Sequence, residues 1–393
     1  MKILVITSRF PYPMEKGDKH RAFHQLQELS VHHDVALVAL SHSPVKPEDL
    51  AKVRDECCPR VHVVQLGRVA TLLSTLKALL TGVPLQVGYF QDRAALAQVE
   101  RIVAEERPDH VYCQLIRTAP YHRHCDIPST IDYQDAFSTS TRRRAERARW
   151  PLSWWLRYEA TRIARYEAQV FDWFDRHVII SIQDRDSLSF PGAETIELVT
   201  SAVDTEDFHP MPAPPDQKDM AFVGNMGYAP NVRAASMLAE EILPLVRARR
   251  PDADVLIAGA RPSRVVRNLE GPGVEISGWV DDIRDAYRSG KVMVAPLIIG
   301  AGQQNKILEA MAMGVPCVTT ELVNRAIGAE PGREIFVANT AEEFAEQILV
   351  LLDDAELRDR VAVAARDFVT RNYSWASIGT RLDTVMSEGR RVR

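Results

Sequence analysis

Residues 291–320 read K-V-M-V-A-P-L-I-I-G-A-G-Q-Q-N-K-I-L-E-A-M-A-M-G-V-P-C-V-T-T. A short apolar strand ends at Pro296, and the glycine loop Gly300-Ala301-Gly302 follows it. The loop opens a helix from about Gln304 to Met313. Gly314 and Pro316 stop that helix, as a C-cap glycine and a following proline do. A second strand near 316–319 completes a strand, helix, strand unit, the building block of a parallel sheet.

Outward from this unit the alternation continues in both directions. Further strands are predicted near 220–223, 254–258, 274–276 and 335–337, with helical stretches between them. An earlier series places strands at 2–7, 35–40, 61–64, 110–113, 129–132 and 178–181. Its first helix carries Ala22, Phe23, Leu26 and Leu29 at helical spacing, with Asp18 expected as its N-cap. The two series are separated by His209-Pro-Met-Pro-Ala-Pro-Pro-Asp, a semi-rigid linker by its proline content. The expected fold is α/β, with two doubly wound domains facing a cleft: 1–208 and 219–372, joined by 209–218. Residues 373–393 are expected to form a helix packing back on the first domain. Ligands belong where strand C-termini face the cleft.

The 393 residues are 46% apolar with a net charge of −5, which argues against a chain that coats nucleic acid. Five cysteines form no C-x-x-C pair, so neither a disulfide framework nor a zinc site is expected. No H-E-x-x-H spacing is present, and no metal is expected. The opening apolar run is too short to read as a signal peptide, and no run reaches membrane-spanning length. A cytoplasmic protein, soluble or peripheral on the inner membrane face, is the expectation.

The residues around the glycine loop suggest a ligand. Glycines allow close backbone approach, and the amides opening a helix favour an anion. Lys306 and Glu309 lie three residues apart, on one helix face. A cation in a first turn is locally unfavourable unless it meets an external anion. Lys306 is therefore read as aimed at phosphate, and Glu309 as an acceptor for a ribose diol. Together they form a nucleotide diphosphate cradle; the plainer alternative is a turn glycine with a surface Glu–Lys pair.

This stretch resembles the donor-binding motif of family 4 glycosyltransferases, which have the GT-B fold of two Rossmann-like domains and retain anomeric configuration. With R-F-P-Y-P-M-E-K-G-D-K-H-R-A-F-H near the N-terminus, it is similar to sugar transferases of bacterial exopolysaccharide and exosortase systems. The resemblance implies that Glu309 binds the donor ribose and Lys306 its diphosphate. It implies that the amides from Gly302 through Gln303, Gln304 and Asn305 hold phosphate and sugar hydroxyls, with Gly300 in the same loop. Many relatives carry a second Glu eight positions before Glu309; here that position is Ala301. A UDP- or GDP-sugar donor and a glycan or lipid-linked acceptor are the implied substrates, with no cofactor.

Other positions follow the same resemblance. Gly224 and Asn225 form a turn near the diphosphate, and Asn231 is either a ligand or a helix N-cap. Val280, in Gly278-Trp-Val-Asp-Asp, lies where relatives hold the base through backbone groups, or in a plain turn. Gly17 matches the loop after the first strand. Asp18 is assigned N-capping or acceptor contact, and Asp132 and Asp135 are acceptor candidates. Lys19 and Arg21 either face an anionic acceptor or are solvated. A nucleotide-sugar epimerase and a non-catalytic sugar-nucleotide binder are the rival readings. A nicotinamide dehydrogenase is disfavoured, because G-x-G-x-x-G is missing after the first strand.

Residues 142–165 hold eight arginines (142, 143, 144, 147, 149, 157, 162 and 165) against Glu146 and Glu159, with Trp150, Trp154 and Trp155 among them. This is either an interfacial membrane segment or a solvated helix whose tryptophans pack inward. The apolar stretch from Thr71 to Leu80 reads as a core helix, with membrane contact as the alternative.

Overall fold

The computed structural model describes residues 1–123, 126–298 and 303–387. The chain divides into two compact units: Met1–Thr200 with the stretch from Ile378, and Ser201–Ser377. The proline-rich stretch after His209 falls inside the second unit, where the Pro212 carbonyl accepts from Arg288 Nη1.

The first unit is built on β1 (Lys2–Thr7), β2 (Asp34–Ser41), β3 (Arg60–Gln65), β4 (His110–Gln114), β5 (Ser129–Asp132), β6 (Arg176–Ile179) and β7 (Glu197–Leu198). The order is β3-β2-β1-β4-β5-β6-β7, and every pairing is parallel. Strand order therefore reverses between β1 and β4, the topological switch point at which open α/β sheets bind ligands. β1 and β2 are buried along nearly their whole length, which is why they read as unbroken apolar runs.

Helix α1 (Gly17–His32) begins one residue before Asp18; Lys16 occupies the N-cap and makes no side-chain capping bond. Asp18 is thus not the cap. It lies in the first turn, where negative charge suits the helix dipole, and accepts from Arg9 Nη1 at 2.5 Å.

Helix α2 (Arg68–Thr81) corrects the expectation of a core helix. Only Thr71 and Ala78 are buried on it, while Val69, Leu72, Leu73, Leu76, Leu79 and Leu80 are exposed. The face that packs is the small one: a Cβ on Gly88 would meet Ala78 Cβ at 2.5 Å, and Ser74 Oγ donates to the Gln91 carbonyl. Close approach through small residues turns the leucines outward. Helices α3 (Phe137–Arg147) and α4 (Leu152–Phe171) carry the basic segment.

The second unit repeats the plan with β8 (Lys218–Val223), β9 (Val255–Ala258), β10 (Val274–Gly278), β11 (Gly290–Ala295), β12 (Cys317–Thr319) and β13 (Phe336–Val337). Its order, β10-β9-β8-β11-β12-β13, is again wholly parallel. The helices that matter for function are α5 (Ala229–Ser236), α6 (Ile283–Arg288) and α7 (Asn305–Ala312). Gly314, at φ 71°, follows the end of α7 as the sequence predicts. Arg366, from α8 (Ala355–Tyr373), donates to the Ala312 carbonyl and so satisfies the last turn of α7.

The final helix, α9 (Trp375–Ser387), belongs to the first unit from Ile378 onward. Gly379 approaches α1 so closely that a Cβ there would meet Glu28 Cβ at 2.7 Å, and Asp383 pairs with His33 Nε2 at 2.9 Å.

Candidate active site

Ile307, Leu308, Ala310 and Met311 bury one side of α7 in the second core, which leaves Lys306 and Glu309 together on the other side. Lys306 Nζ donates to Asn231 Oδ1 at 2.6 Å and lies 5.6 Å from the centroid of the Phe222 ring. Asn231 Nδ2 in turn donates to the Asn225 carbonyl at 3.0 Å. A Cβ on Gly224 would lie 2.8 Å from Asn231 Nδ2 and 3.5 Å from Lys306 Nζ, so glycine keeps room for this chain of contacts. Gly259, at φ 141°, is held just as tightly, since a Cβ there would overlap the Gly224 carbonyl oxygen at 1.7 Å.

Burial lowers the Lys306 pKa to about 8, and Glu309 opposes that shift. The ammonium is therefore mostly charged at neutral pH. Among the described residues it makes no ion pair, although a desolvated charge is costly without a counter-ion. Glu309 shifts the other way. Burial raises its pKa, against a hydrogen bond from Tyr287 and the charge of Lys306. Tyr287 Oη donates to Glu309 Oε2 at 2.6 Å; burial and then Glu309 keep that phenol protonated. With Oε2 so engaged, Oε1 remains to accept from a bound hydroxyl.

The neighbouring candidates differ in what they offer. Tyr228, not Asn231, is the N-cap of α5; Asn231 is buried and serves to hold Lys306. Asn225 uses its Oδ1 in a local turn, accepting from Gly227 N. The Gln303 amide is committed to backbone, accepting from Ser201 N at 3.1 Å and donating to its carbonyl at 2.7 Å. Gln304 is the N-cap of α7 with no side-chain capping bond, and Asn305 is exposed beside it. Val280 packs partly on the core next to exposed Trp279, and Asp282 caps α6 by accepting from Arg284 N. Gly300 and Gly302 lie outside the described residues.

In the first unit Gly17 is exposed, and a Cβ there would meet nothing within 4 Å. Lys19 is half-buried. Arg21 and Asp132, expected at an acceptor, are instead buried against each other: Arg21 Nε donates to Asp132 Oδ2 at 2.8 Å. Arg21 also donates to the carbonyls of Thr200 and Val199. Asp132 further accepts from Tyr112 Oη, Gln25 Nε2 and Gln134 N. All three nitrogens of the Arg21 side chain and both carboxylate oxygens of Asp132 are thus engaged inside the fold. Asp135 differs. Solvent reaches it, yet surrounding protein raises its carboxyl to about 6, with Asp184 and Asp132 adding and Arg21 opposing. One contributor escaped the sequence reading, Tyr287, because it stands in no motif.

Residues 217–354 match the family described as glycosyl transferases group 1, and that span contains Gly224, Asn231, Tyr287, Lys306 and Glu309. The chain is 22% identical over 401 residues to an uncharacterised 44.6 kDa protein of the cps region of Klebsiella pneumoniae, covering 95% of this chain and 96% of that one. It is 27% identical over 219 residues to the phosphatidyl-myo-inositol mannosyltransferase of Mycobacterium leprae, covering 53% and 56%. In structure it resembles Anabaena HepE, crystallised in complex with UDP, with a TM-score of 0.65, 13% identity and coverage of 99% and 100%. This chain is a glycosyltransferase of the GT-B fold, with a group 1 glycosyl transferase domain over residues 217–354.

Among the described residues of the transferase, no helix is long and apolar enough to cross a membrane. Also among them, no group of three or more His, Cys, Asp and Glu is placed to hold a metal ion. The basic segment keeps Arg142, Arg143, Arg144, Arg149, Arg157 and Arg165 exposed, together with Trp150 and Trp154. The Arg147 side chain lies outside the described residues. Arg162 is buried and pairs with Glu159, donating also to the carbonyls of Ala78 and Val83 in and after α2. These bonds fasten α4 to the helix with the outward leucines.

Proposed function

We propose that the transferase takes its sugar from a UDP- or GDP-sugar held by α7 and passes it, with retention, to a glycan or lipid-linked acceptor in surface polysaccharide synthesis. The observation that carries this reading is Lys306, a desolvated ammonium positioned by a neutral amide and, among the described residues, in no ion pair. Such a cation suits the negative charge that grows on a departing diphosphate. Glu309, oriented by Tyr287, suits the paired hydroxyls of a ribose. Charge on the diphosphate would be met by Lys306 and backbone amides, without metal. The resemblance in fold to HepE, crystallised in complex with UDP, supports a nucleotide ligand.

The tryptophans and arginines of α3, α4 and the turn between them, next to the apolar face of α2, fit peripheral contact with an anionic membrane, where a lipid-linked acceptor would reside. Calorimetric titration of the protein with UDP and GDP tests the donor assignment. One of them should bind, and Lys306→Met should weaken it at least tenfold. Failure of every nucleoside diphosphate to bind the unmodified protein would end this reading.

A further inference from the structure

Among the described residues of the first unit three arginines are buried, and two of them are paired: Arg21 with Asp132, and Arg162 with Glu159. The third is not. Arg117, in the loop after β4, is 9% exposed, and its Nε has no hydrogen-bond partner. Among the described residues it forms no ion pair. Its guanidinium carbon lies 5.1 Å from the Phe90 ring centroid and 5.7 Å from that of Phe137, an orientation fixed by cation–π packing rather than by an anion. Burial lowers its pKa to about 10, with Arg9 adding and Asp18 opposing, so the group stays charged at neutral pH.

What surrounds Arg117 is positive on balance. Arg9 follows β1, and among the described residues its one carboxylate partner, Asp18, lies in the first turn of α1. The N-terminus of that sixteen-residue helix has no side-chain cap and adds the positive end of its dipole. His42 follows β2 and packs on Phe90 at 5.2 Å; burial and then Arg9 lower its pKa, so it is neutral at pH 7. These residues come from the C-terminal ends of β1, β2 and β4, on either side of the switch point.

We infer that Arg117, packed on Phe90 and Phe137 and flanked by Arg9 and the first turn of α1, anchors an oxyanion, phosphate or carboxylate, carried by the acceptor. The planar guanidinium offers paired donors to either group. The word acceptor rests on the transferase reading above, whereas the anion site does not. The site also replaces the expectation placed on Arg21, whose charge is already spent on Asp132.

The test uses the full chain and three small probes: phenyl phosphate, benzoate and benzyl alcohol, with binding read from ligand NMR line broadening. One of the two anions should bind, the alcohol should not, and the anion that binds identifies the group carried. Arg117→Gln should weaken that anion at least tenfold, Arg117→Lys should weaken it less, and Lys306→Met should leave it unchanged. UDP or GDP affinity should not change in Arg117→Gln, which separates this site from the donor site. The thermal midpoint of Arg117→Gln should stay level or rise, since an unpaired buried charge has been removed. Anion binding that survives Arg117→Gln or disappears in Lys306→Met would overturn the proposal. So would binding no better than that of the alcohol, a nucleotide loss equal to the anion loss, or a fall in midpoint marking a purely structural arginine.

Discussion

Lys306 Nζ and Asn231 Oδ1 lie 2.6 Å apart, an ammonium held by a neutral amide on a different helix. A carboxylate at that place would fix the lysine equally well but cancel its charge. The amide fixes it and leaves the charge for a ligand, while burial lowers its pKa to about 8.

A bound diphosphate must keep this lysine protonated, so binding above pH 8 requires proton uptake. Affinity for UDP or GDP should change little below pH 7.5 and fall about fivefold between pH 8 and 9. Calorimetry in two buffers of different ionisation enthalpy should report up to one proton taken up, absent in Lys306→Met. Asn231→Asp should raise the lysine pKa, shift the break to higher pH and weaken binding.

Tyr287 orients Glu309 through one charge-assisted hydrogen bond. Tyr287→Phe should cost about 1.5–3 kcal/mol of whatever Glu309 contributes to nucleotide affinity. Glu309→Ala should abolish any preference for a ribonucleoside diphosphate over its 2′-deoxy form. Equal discrimination in wild type and variant would show that the carboxylate does not touch the ribose.

The Arg21–Asp132 pair predicts a loss of stability. Asp132→Ala leaves Arg21 charged and buried, which should destabilise the first unit by about 3–5 kcal/mol. Urea unfolding followed by circular dichroism would detect it. A variant of normal stability but poor turnover would return Asp132 to the acceptor site.

Glu167 is buried in the first unit, and its carboxyl is raised to about 7 by burial, against hydrogen bonds from Ser138. Its folded pKa lies above the unfolded one, so the folded state binds the extra proton and stability falls as pH rises through 4.5 to 7. Glu167→Gln keeps an acceptor for Ser138 N and removes this loss. It should gain up to ~3 kcal/mol at pH 8 and little at pH 4.5. Thermal midpoints at the two pH values decide it.

If α2 and the tryptophan–arginine segment meet a membrane, the protein should co-sediment with vesicles containing anionic lipid. Leu72→Glu combined with Leu76→Glu should abolish this at all salt concentrations. Replacing Arg142, Arg143 and Arg144 by glutamine should weaken it mainly at low salt. Equal recovery on purely zwitterionic vesicles would contradict the role given to the arginines.

Most strands were legible because strands buried on both faces are unbroken apolar runs between glycine and proline signals. β7 was not, since two residues, Glu197 and Leu198, carry no pattern. The Lys306–Glu309 spacing was readable because helical geometry alone puts the two on one face. Tyr287 and Asn231 were not recognised as their partners, because tertiary packing brings them there across 22 and 75 residues. For α2 the helix was read correctly and its burial wrongly. Leucine content said core, whereas packing followed the small residues opposite Gly88. Arg117 had no local signature, because being unpaired is a property only of the folded surroundings.

The arrangement of α9 has a consequence for synthesis on the ribosome. Ile378, Leu382, Val385 and Met386 are buried, and this helix joins a unit whose other residues end at Thr200. At roughly 5–20 residues per second, translation of the ~180 intervening residues leaves the N-terminal half without its last helix for about ten to thirty-five seconds. During that interval the surface of α1 around Glu28 stands open to chaperones.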